Sequence, residues 1–155
     1  MNLLIESIID QIQTEFKDIE IHNAWGETSF FYNPASRLKR GVYFATLKDK
    51  DGENDKASNL NRPDVFRLNF GLPSSIYIEM FGPKPKRPTK GNIVDGPWDF
   101  AMLNKLMPHP VYGWIGWVCV LTPTEETFKQ CIPLIREAYK KAQITFENRV
   151  KKESI

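Results

Sequence analysis

The hydrophobic residues near the two ends of the chain recur at every third or fourth position. This spacing places apolar side chains on one face of a helix, and it extends over residues 2–16 and again over residues 128–146. The face opposite the second stripe carries the charged residues Lys129, Arg136, Glu137, Lys140 and Lys141. The pattern predicts one amphipathic helix near each end of the chain, and each helix must bury its apolar stripe against another element.

The start of the C-terminal helix carries its own signals. Thr122 is suited to cap the helix, Pro123 to occupy its first position, and Glu125 to complete a capping box. Pro133 lies inside the helical stretch and removes one backbone hydrogen bond, so a kink is predicted there.

Five stretches between these helices are rich in β-branched and aromatic residues. They predict strands over residues 19–24, 28–32, 42–47, 65–70 and 111–121. The first three follow one another with short links, which favours a meander of antiparallel strands.

The segments between the later strands have other patterns. Residues 73–81 have helical spacing and predict a short helix, and residues 99–106 predict a helical turn. Residues 48–56 contain no apolar residue and predict a solvated loop or the tip of a long hairpin. Residues 83–91 combine three prolines with four basic residues, so an extended, exposed loop is expected.

These elements predict an α+β fold in a single domain over the whole chain, with an antiparallel β-sheet and the N-terminal and C-terminal helices packed on one face. The alternation in residues 65–70 places Phe66 and Phe70 on the buried side of the sheet. Arg67 and Asn69 then lie on the side expected to be wet. We therefore expect the function on this helix-free face.

The composition is typical of a globular protein and does not indicate a particular reaction. Of 155 residues, 41% are hydrophobic and 26% are charged, which is ordinary for a globular chain. The net charge of +2 is too small to imply nucleic acid as an obligatory partner, and no signal peptide or membrane anchor is expected. Cys119 and Cys131 are expected to be buried free thiols, as in a cytoplasmic protein.

The first functional hypothesis is a non-enzymatic protein that binds a small molecule or a protein partner on the open sheet face. The turn around Trp25 brings an indole close to a carboxylate, a pairing that suits a flat or cationic ligand. A packed turn explains the same residues equally well. The expected ligand-binding residues are Trp25, Glu27, Arg67, Asn69, His109 and Trp114.

The second hypothesis is weak, sequence-independent binding of nucleic acid. Four basic residues of the proline-rich loop and four of the last helix have the charge to contact phosphates. Solvated bases that bind nothing are the alternative, since the loop itself lacks aromatic residues for stacking. The eight residues are Lys84, Lys86, Arg87, Lys90, Lys140, Lys141, Lys151 and Lys152.

The third hypothesis is an enzyme with His109 as general base. Pro108 and Pro110 restrict the backbone on both sides of this histidine, but a base also needs a partner such as Glu27, Asp95 or Asp99. A histidine that is hydrogen bonded at a turn is the alternative. No motif for a cofactor is present, and no metal is expected, because residues 49–60 lack the ligand order of a calcium loop.

Three short stretches carry a resemblance to a known family. Residues 24–32 (AWGETSFFY), 66–69 (FRLN) and 108–112 (PHPVY) resemble an uncharacterised bacterial family, a domain of unknown function with W-G-[DE]-T and P-H-P-V-Y motifs. The likeness covers residues 19–146. It implies membership of a family without implying an activity.

The order of elements is also distantly similar to that of the MmcQ/YjbR-like proteins. Trp117 would correspond to the tryptophan of their late strand and Tyr139 to the tyrosine of their last helix. This resemblance implies a CyaY-like arrangement, for which a DNA-binding role has been suggested. Residues 49–55 and 83–91 are additions to that pattern, and a likeness of fold alone does not transfer a function.

Overall fold

The computed structural model describes residues 4–153 as three α-helices and six strands. Short 3-10 turns lie at Pro34–Ser36 and Gly113–Ile115. In chain order the elements are α1 (Ile5–Glu15), β1 (Ile19–Ala24), β2 (Glu27–Tyr32), β3 (Val42–Lys48), β4 (Arg67–Gly71), α2 (Ser74–Phe81), β5 (Met107–Pro108), β6 (Trp117–Leu121) and α3 (Glu125–Glu153).

The six strands form one antiparallel sheet in the order β1-β2-β3-β4-β6-β5. Helices α1 and α3 pack on one face, where the alternating residues Phe66, Leu68 and Phe70 meet the helical stripes. The hydroxyl of Tyr139 in α3 donates a hydrogen bond of 2.6 Å to the carbonyl oxygen of Lys17, in the link between α1 and β1. The α+β fold with terminal helices on one face is confirmed.

A second, smaller apolar cluster covers part of the opposite face. The segments between β3 and β4 and between α2 and β6 fold over β4 and β6 and bury their side chains there. Strands β2 and β3 stay open to solvent on this face, where Tyr43 is half exposed. The buried members of this second cluster are Leu60, Val94, Phe100, Met107, Cys119 and Leu121.

Several local predictions were wrong in part. The strand predicted over residues 111–121 is confined to β6, because a 3-10 turn occupies Gly113–Ile115 and Gly116 adopts a left-handed φ of +91°. Of the helical turn predicted over residues 99–106, the structure has one turn, closed by a hydrogen bond of 3.1 Å from the Met102 N–H to the carbonyl oxygen of Asp99. Residues 48–56 are not simply solvated, because the Asp51 carboxylate accepts a hydrogen bond of 2.7 Å from the backbone N–H of Leu60.

The start of α3 also differs from its prediction. Thr124 caps the helix, with its Oγ1 accepting the backbone N–H of Thr127 at 3.2 Å. Thr122 uses its hydroxyl on the backbone of Phe66 and has a φ of +39°. Helix α3 runs unbroken through Pro133 to Glu153.

The prediction of two buried free thiols is confirmed. Cys119 lies in β6 and Cys131 in α3, and no disulfide joins them. Burial raises the pKa of each thiol to about 12, so both stay protonated at neutral pH.

Candidate functional site

A buried polar cluster lies on the helix-free face, centred on Arg67 of β4. Arg67 is fully buried and its guanidinium uses every donor nitrogen. Nη1 lies 3.0 Å from an Asp55 carboxylate oxygen and 3.0 Å from the Ser58 hydroxyl, and Nη2 contacts the second Asp55 oxygen. Nε donates to Asn69 at 2.7 Å, and Nη2 also lies 3.2 Å from Nε2 of His109. The structure thus unites three residues that the sequence analysis proposed, but it buries them.

The ion pair determines the charge state of the cluster. Burial opposes ionisation of Asp55, but hydrogen bonds from Arg67 and its positive charge outweigh burial, so the pKa of Asp55 is lowered. Burial likewise opposes the charge on Arg67, and its hydrogen bonds to Asp55 more than compensate, so the Arg67 pKa is raised. Both groups are therefore charged at neutral pH.

The imidazole of His109 is engaged at both nitrogens. Nδ1 accepts the backbone N–H groups of Val111 and Tyr112, each at 3.0 Å. Burial, and then the charge of Arg67, hold the pKa of His109 well below its usual value. Because Nδ1 accepts, the single proton of the neutral ring is on Nε2. A guanidinium nitrogen only donates, so the 3.2 Å contact between Nε2 and Arg67 Nη2 is not a hydrogen bond in this tautomer. None of Glu27, Asp95 and Asp99 hydrogen bonds to this ring within residues 4–153, and Arg67 is its polar side-chain contact.

A groove of about 440 Å³ opens on the same face, over β2 and β3. We call it the sheet-face groove. Thr46 links it to the buried cluster, because its hydroxyl lines the groove and accepts a hydrogen bond of 3.0 Å from the Asn69 amide. Its lining residues are Glu27, Ser29, Phe31, Arg40, Gly41, Tyr43, Thr46, Tyr112, Trp117 and Arg149.

A β-bulge in β3 turns Tyr43 toward this groove. Phe30 pairs with Ala45 and Phe31 pairs with Tyr43, so Phe44 is the extra residue of the bulged strand. Without the extra residue, alternation from Thr46 would place position 44 in the groove and position 43 in the core. The bulge keeps Phe44 in the core and presents Tyr43 on the open face.

The charged residues of the groove lie at its two ends. Glu27 begins β2 at one end, and Arg40 precedes β3 at the other, where Arg149 of α3 donates a hydrogen bond of 3.4 Å to the carbonyl oxygen of Gly41. Burial raises the pKa of Glu27, although the charges of Lys48 and then Arg67 act against this rise. The free energy cost of burying the Glu27 charge is thus only partly offset.

The other two proposed ligand residues lie outside this groove. Trp25 occupies the β1–β2 hairpin tip, where its side chain is 94% exposed and its φ is +57°. Together with Glu27 it lines a separate depression of about 330 Å³. Trp114 lies beneath the guanidinium of Arg87, which is 4.8 Å from the ring centroid.

The proline-rich basic loop, residues 83–91, lines a second groove of about 320 Å³, which we call the loop groove. Arg87, Lys90, Tyr112 and Trp114 all line it, so the fold supplies aromatic rings that the loop sequence lacks. Lys84 donates a hydrogen bond of 2.8 Å to Ser74.

The basic loop also approaches the last helix. Lys141 donates a hydrogen bond of 3.3 Å to the carbonyl oxygen of Leu72, two residues before the Ser74 that Lys84 contacts. Burial, and then the charge of Lys84, lower the pKa of Lys141. One part of the predicted basic stripe is therefore assembled by the fold, at the junction of the loop with α3.

A family comparison covers nearly the whole chain. The family described as "Family of unknown function (DUF6194)" matches residues 1–151. The chain belongs to this family. Searches of curated proteins and of solved structures gave no significant match to the DUF6194 chain.

Two further features of the DUF6194 chain concern metals and membranes. Within residues 4–153, no group of three or more His, Cys, Asp or Glu side chains is placed to hold a metal ion. In the same part of the chain, no helix has an apolar stretch of the length that a bilayer crossing requires.

The sequence analysis missed the residues that shape the groove. Tyr43 belongs to a predicted strand, but only the bulge places it on the open face. Arg149 reaches the groove through a contact with Gly41, 108 positions away in the sequence. Asp55, the partner of Arg67, lies in a loop with no apolar residue, and nothing local to that loop signals burial. Alternation along β2, which sets Ser29 and Phe31 opposite Phe30, is the signal that could have found the groove floor.

Proposed function

We propose that this protein is a binding protein that receives a small molecule in the sheet-face groove. The observation that carries the proposal is the groove itself, which combines aromatic side chains with charged groups at both ends. Its volume of about 440 Å³ lies within the range of small-molecule sites. Burial raises the pKa of Glu27, and carboxyl groups with shifted pKa values cluster at functional sites. This observation supports the interpretation of the groove as a binding site.

The buried polar cluster supports this proposal as a rigid foundation. Arg67 holds Asn69, and Asn69 holds Thr46 in the groove floor. His109 holds the backbone of Tyr112 in the groove wall. Side chains that are oriented before binding lose less entropy when a ligand arrives.

The same geometry favours binding over catalysis by His109. A general base needs a ring nitrogen within reach of the substrate. Here Nδ1 is engaged by two backbone N–H groups and Nε2 lies against Arg67. His109 is best explained as a positioning residue.

A fluorescent probe tests the proposal. N-phenyl-1-naphthylamine is neutral and fluoresces on entering an apolar site. We expect saturable binding at one site per chain, abolished by Ser29→Phe, which fills the groove floor. Ser75→Phe is the matched control, because Ser75 is exposed on α2 and lies outside the groove. Absence of binding, or equal binding by both variants, would contradict the proposal.

Nucleic-acid binding at the loop groove is a second candidate. Arg87 over Trp114, with Lys90 and the half-exposed Tyr112 beside them, combines cations for phosphates with rings for stacking. The proposed distant likeness to the MmcQ/YjbR-like proteins, for which a DNA-binding role has been suggested, also supports this candidate.

Labelled single-stranded and duplex DNA at two salt concentrations test this candidate. We expect salt-sensitive binding that prefers the single strand and is lost when Lys84, Lys86, Arg87 and Lys90 are changed to Glu. A control with the same charge change at Lys17, Lys39, Lys105 and Lys129, which are exposed and lie outside the predicted basic stripe, should retain that preference for the single strand. Absence of binding at low salt would eliminate the candidate.

The location and domain organisation are proposals of the same kind. The buried free thiols of Cys119 and Cys131 support a reducing, cytoplasmic location, as expected for a bacterial protein of this family. The family match over residues 1–151 supports a single domain.

A further inference from the structure

We propose that the ligand of the sheet-face groove is a planar aromatic molecule that carries an anionic group. The rings would lie against Tyr43 and Trp117, and the anion would lie at the end formed by Arg40 and Arg149. This inference rests on the proposed function and names the chemical class of the ligand.

The aromatic residues of the groove form a continuous surface. The rings of Tyr43 and Trp117 lie 5.1 Å apart between centroids, with an interplanar angle of 31°. Phe31 continues this surface, 5.8 Å from Tyr43. Flat rings stack on such faces with a gain beyond simple burial of area. A planar ligand therefore matches this floor better than a branched aliphatic one.

The cationic end of the groove has no acidic partner in the part of the chain that the structure describes. Arg37, Arg67 and Arg136 each form an ion pair with a carboxylate, whereas Arg40 and Arg149 form none among residues 4–153. Arg149 is placed beside Gly41 by a hydrogen bond to its carbonyl oxygen. Two guanidinium groups provide the paired donors that carboxylate, phosphate and sulfonate groups accept.

The acidic end gives the ligand a direction. Phe31 lies four residue steps after Glu27 in β2, which corresponds to roughly 13 Å along the strand. Tyr43 lies between the two ends, since it pairs with Phe31 in β2 while Glu27 pairs with Lys48, five residues further along β3. An anion is repelled by Glu27 and attracted by the arginines, so a ligand of two or three rings is held in one orientation.

Two dyes that differ by one group test this inference. 1-Anilinonaphthalene-8-sulfonate carries a sulfonate on the ring system of neutral N-phenyl-1-naphthylamine. We expect the wild-type protein to bind the sulfonate about tenfold more tightly, as one charge-assisted contact would give. The double variant Arg40→Gln/Arg149→Gln should lose this preference and keep its affinity for the neutral dye.

The control variant is Lys39→Gln/Lys151→Gln. It loses the same charge at exposed residues that do not line the groove, so it should keep the preference. Thermal unfolding of each variant verifies that it is folded. A preference that survives in the arginine variant, or that disappears in both variants, would overturn the inference.

The two proposals fail in different ways. If Ser29→Phe excludes the neutral dye but the wild-type protein shows no preference for the sulfonate, the proposed function stands and the anionic ligand is ruled out.

A competition experiment identifies the anionic group. Indole-3-acetate and phenyl phosphate compete with the bound sulfonate dye, and the stronger competitor shows whether the arginine pair prefers a carboxylate or a phosphate. Dye that neither compound displaces would contradict the inference.

Discussion

Asp55 and Arg67 form a two-point ion pair that joins the loop after β3 to the middle of the sheet. One of its hydrogen bonds measures 3.0 Å, and the Arg67 side chain has no exposed surface. Changing Asp55→Asn leaves the guanidinium charge buried and uncompensated, and such losses cost about 3 kcal/mol of unfolding free energy. Urea denaturation at pH 7 measures this change.

Asp49→Asn is the control for this loss, because Asp49 is an exposed carboxylate of the same loop and its change should alter stability by less than about 0.5 kcal/mol. Asp55 has a lowered pKa, so its stabilisation is present at neutral pH and is lost as the pH falls through that pKa. A loss from Asp55→Asn no larger than that of the control would refute a structural role for the pair.

Burial of neutral His109 makes stability depend on pH. Its pKa in the folded protein lies well below 6.5, so below that pH the unfolded chain binds a proton that the folded chain does not. Unfolding free energy should therefore fall by up to about 1.4 kcal/mol per pH unit as the pH decreases from 6.5. The groups that face the ring electrostatically are Arg67, Asp55 and Lys48.

The variant His109→Asn tests this dependence, because an asparagine oxygen can accept the N–H groups of Val111 and Tyr112 without titrating. Between pH 6.5 and 4.5, the unfolding free energy of this variant should depend less steeply on pH than that of the wild type, by the slope that corresponds to one proton. Parallel curves for the two proteins would show that His109 binds its proton equally in both states.

Glu27→Gln should stabilise the protein at neutral pH. Burial raises the pKa of Glu27, because the folded protein favours the protonated carboxyl group over the carboxylate. The stability that the protonated form contributes is lost as the pH rises through that pKa. Glutamine resembles the neutral form, so a gain of about 0.5 kcal/mol is expected at pH 7 and none at pH 4. Chemical denaturation at both pH values checks the difference, with the exposed Glu53→Gln as reference.

Gly71 allows the Trp117 indole to lie flat on the sheet. A Cβ at position 71 would lie 2.7 Å from two atoms of that ring, so Gly71→Ala must displace the ring. We expect a loss of about 2 kcal/mol in stability and weaker binding of N-phenyl-1-naphthylamine in the sheet-face groove. Gly52→Ala meets the flexible end of Lys48 at 3.4 Å and the Asp55 Cβ at 3.8 Å, both ordinary contact distances, and should be tolerated. Equal stability of the two variants would contradict this account.

Trp25 and Gly26 form the two-residue tip of the β1–β2 hairpin, with φ values of +57° and +75°. This type I′ geometry favours Asn followed by Gly, so Trp25→Asn should raise the unfolding free energy by about 0.5 kcal/mol. The indole is 94% exposed, and its removal loses little burial. Trp25→Ala keeps the unfavourable φ and separates the backbone effect from the loss of the ring. A destabilised Trp25→Asn would show that the indole packs on the chain.

Local periodicity explains how much of the fold could be predicted. The alternation of Phe66, Leu68 and Phe70 correctly predicted the buried side of β4. The stripe of α1 was correct at Ile8, Ile12 and Phe16 but wrong at Leu4, which is exposed before the helix begins. Arg67 does point to the helix-free face of the sheet, as predicted. The prediction that its side chain is exposed there was wrong, because Arg67 is fully buried. Alternation shows which way a side chain points, but it carries no information about a segment that later folds over it.

The candidate site depends on contacts between distant parts of the chain. Leu60 anchors the loop that brings Asp55 to Arg67, and that loop has no periodic pattern of its own. Arg149 lies 108 positions from Gly41, which it contacts. Such pairings arise from the tertiary fold, so the individual residues are visible in the sequence while their convergence is not.

Tyr112 is a wall of both the sheet-face groove and the loop groove. An occupant that turns its ring in one groove changes the shape of the other. Ligands in both proposed sites would then be linked equilibria, in which each ligand alters the affinity of the other by the same factor. His109 holds the backbone of Tyr112, so this histidine would affect both sites although it lines neither groove.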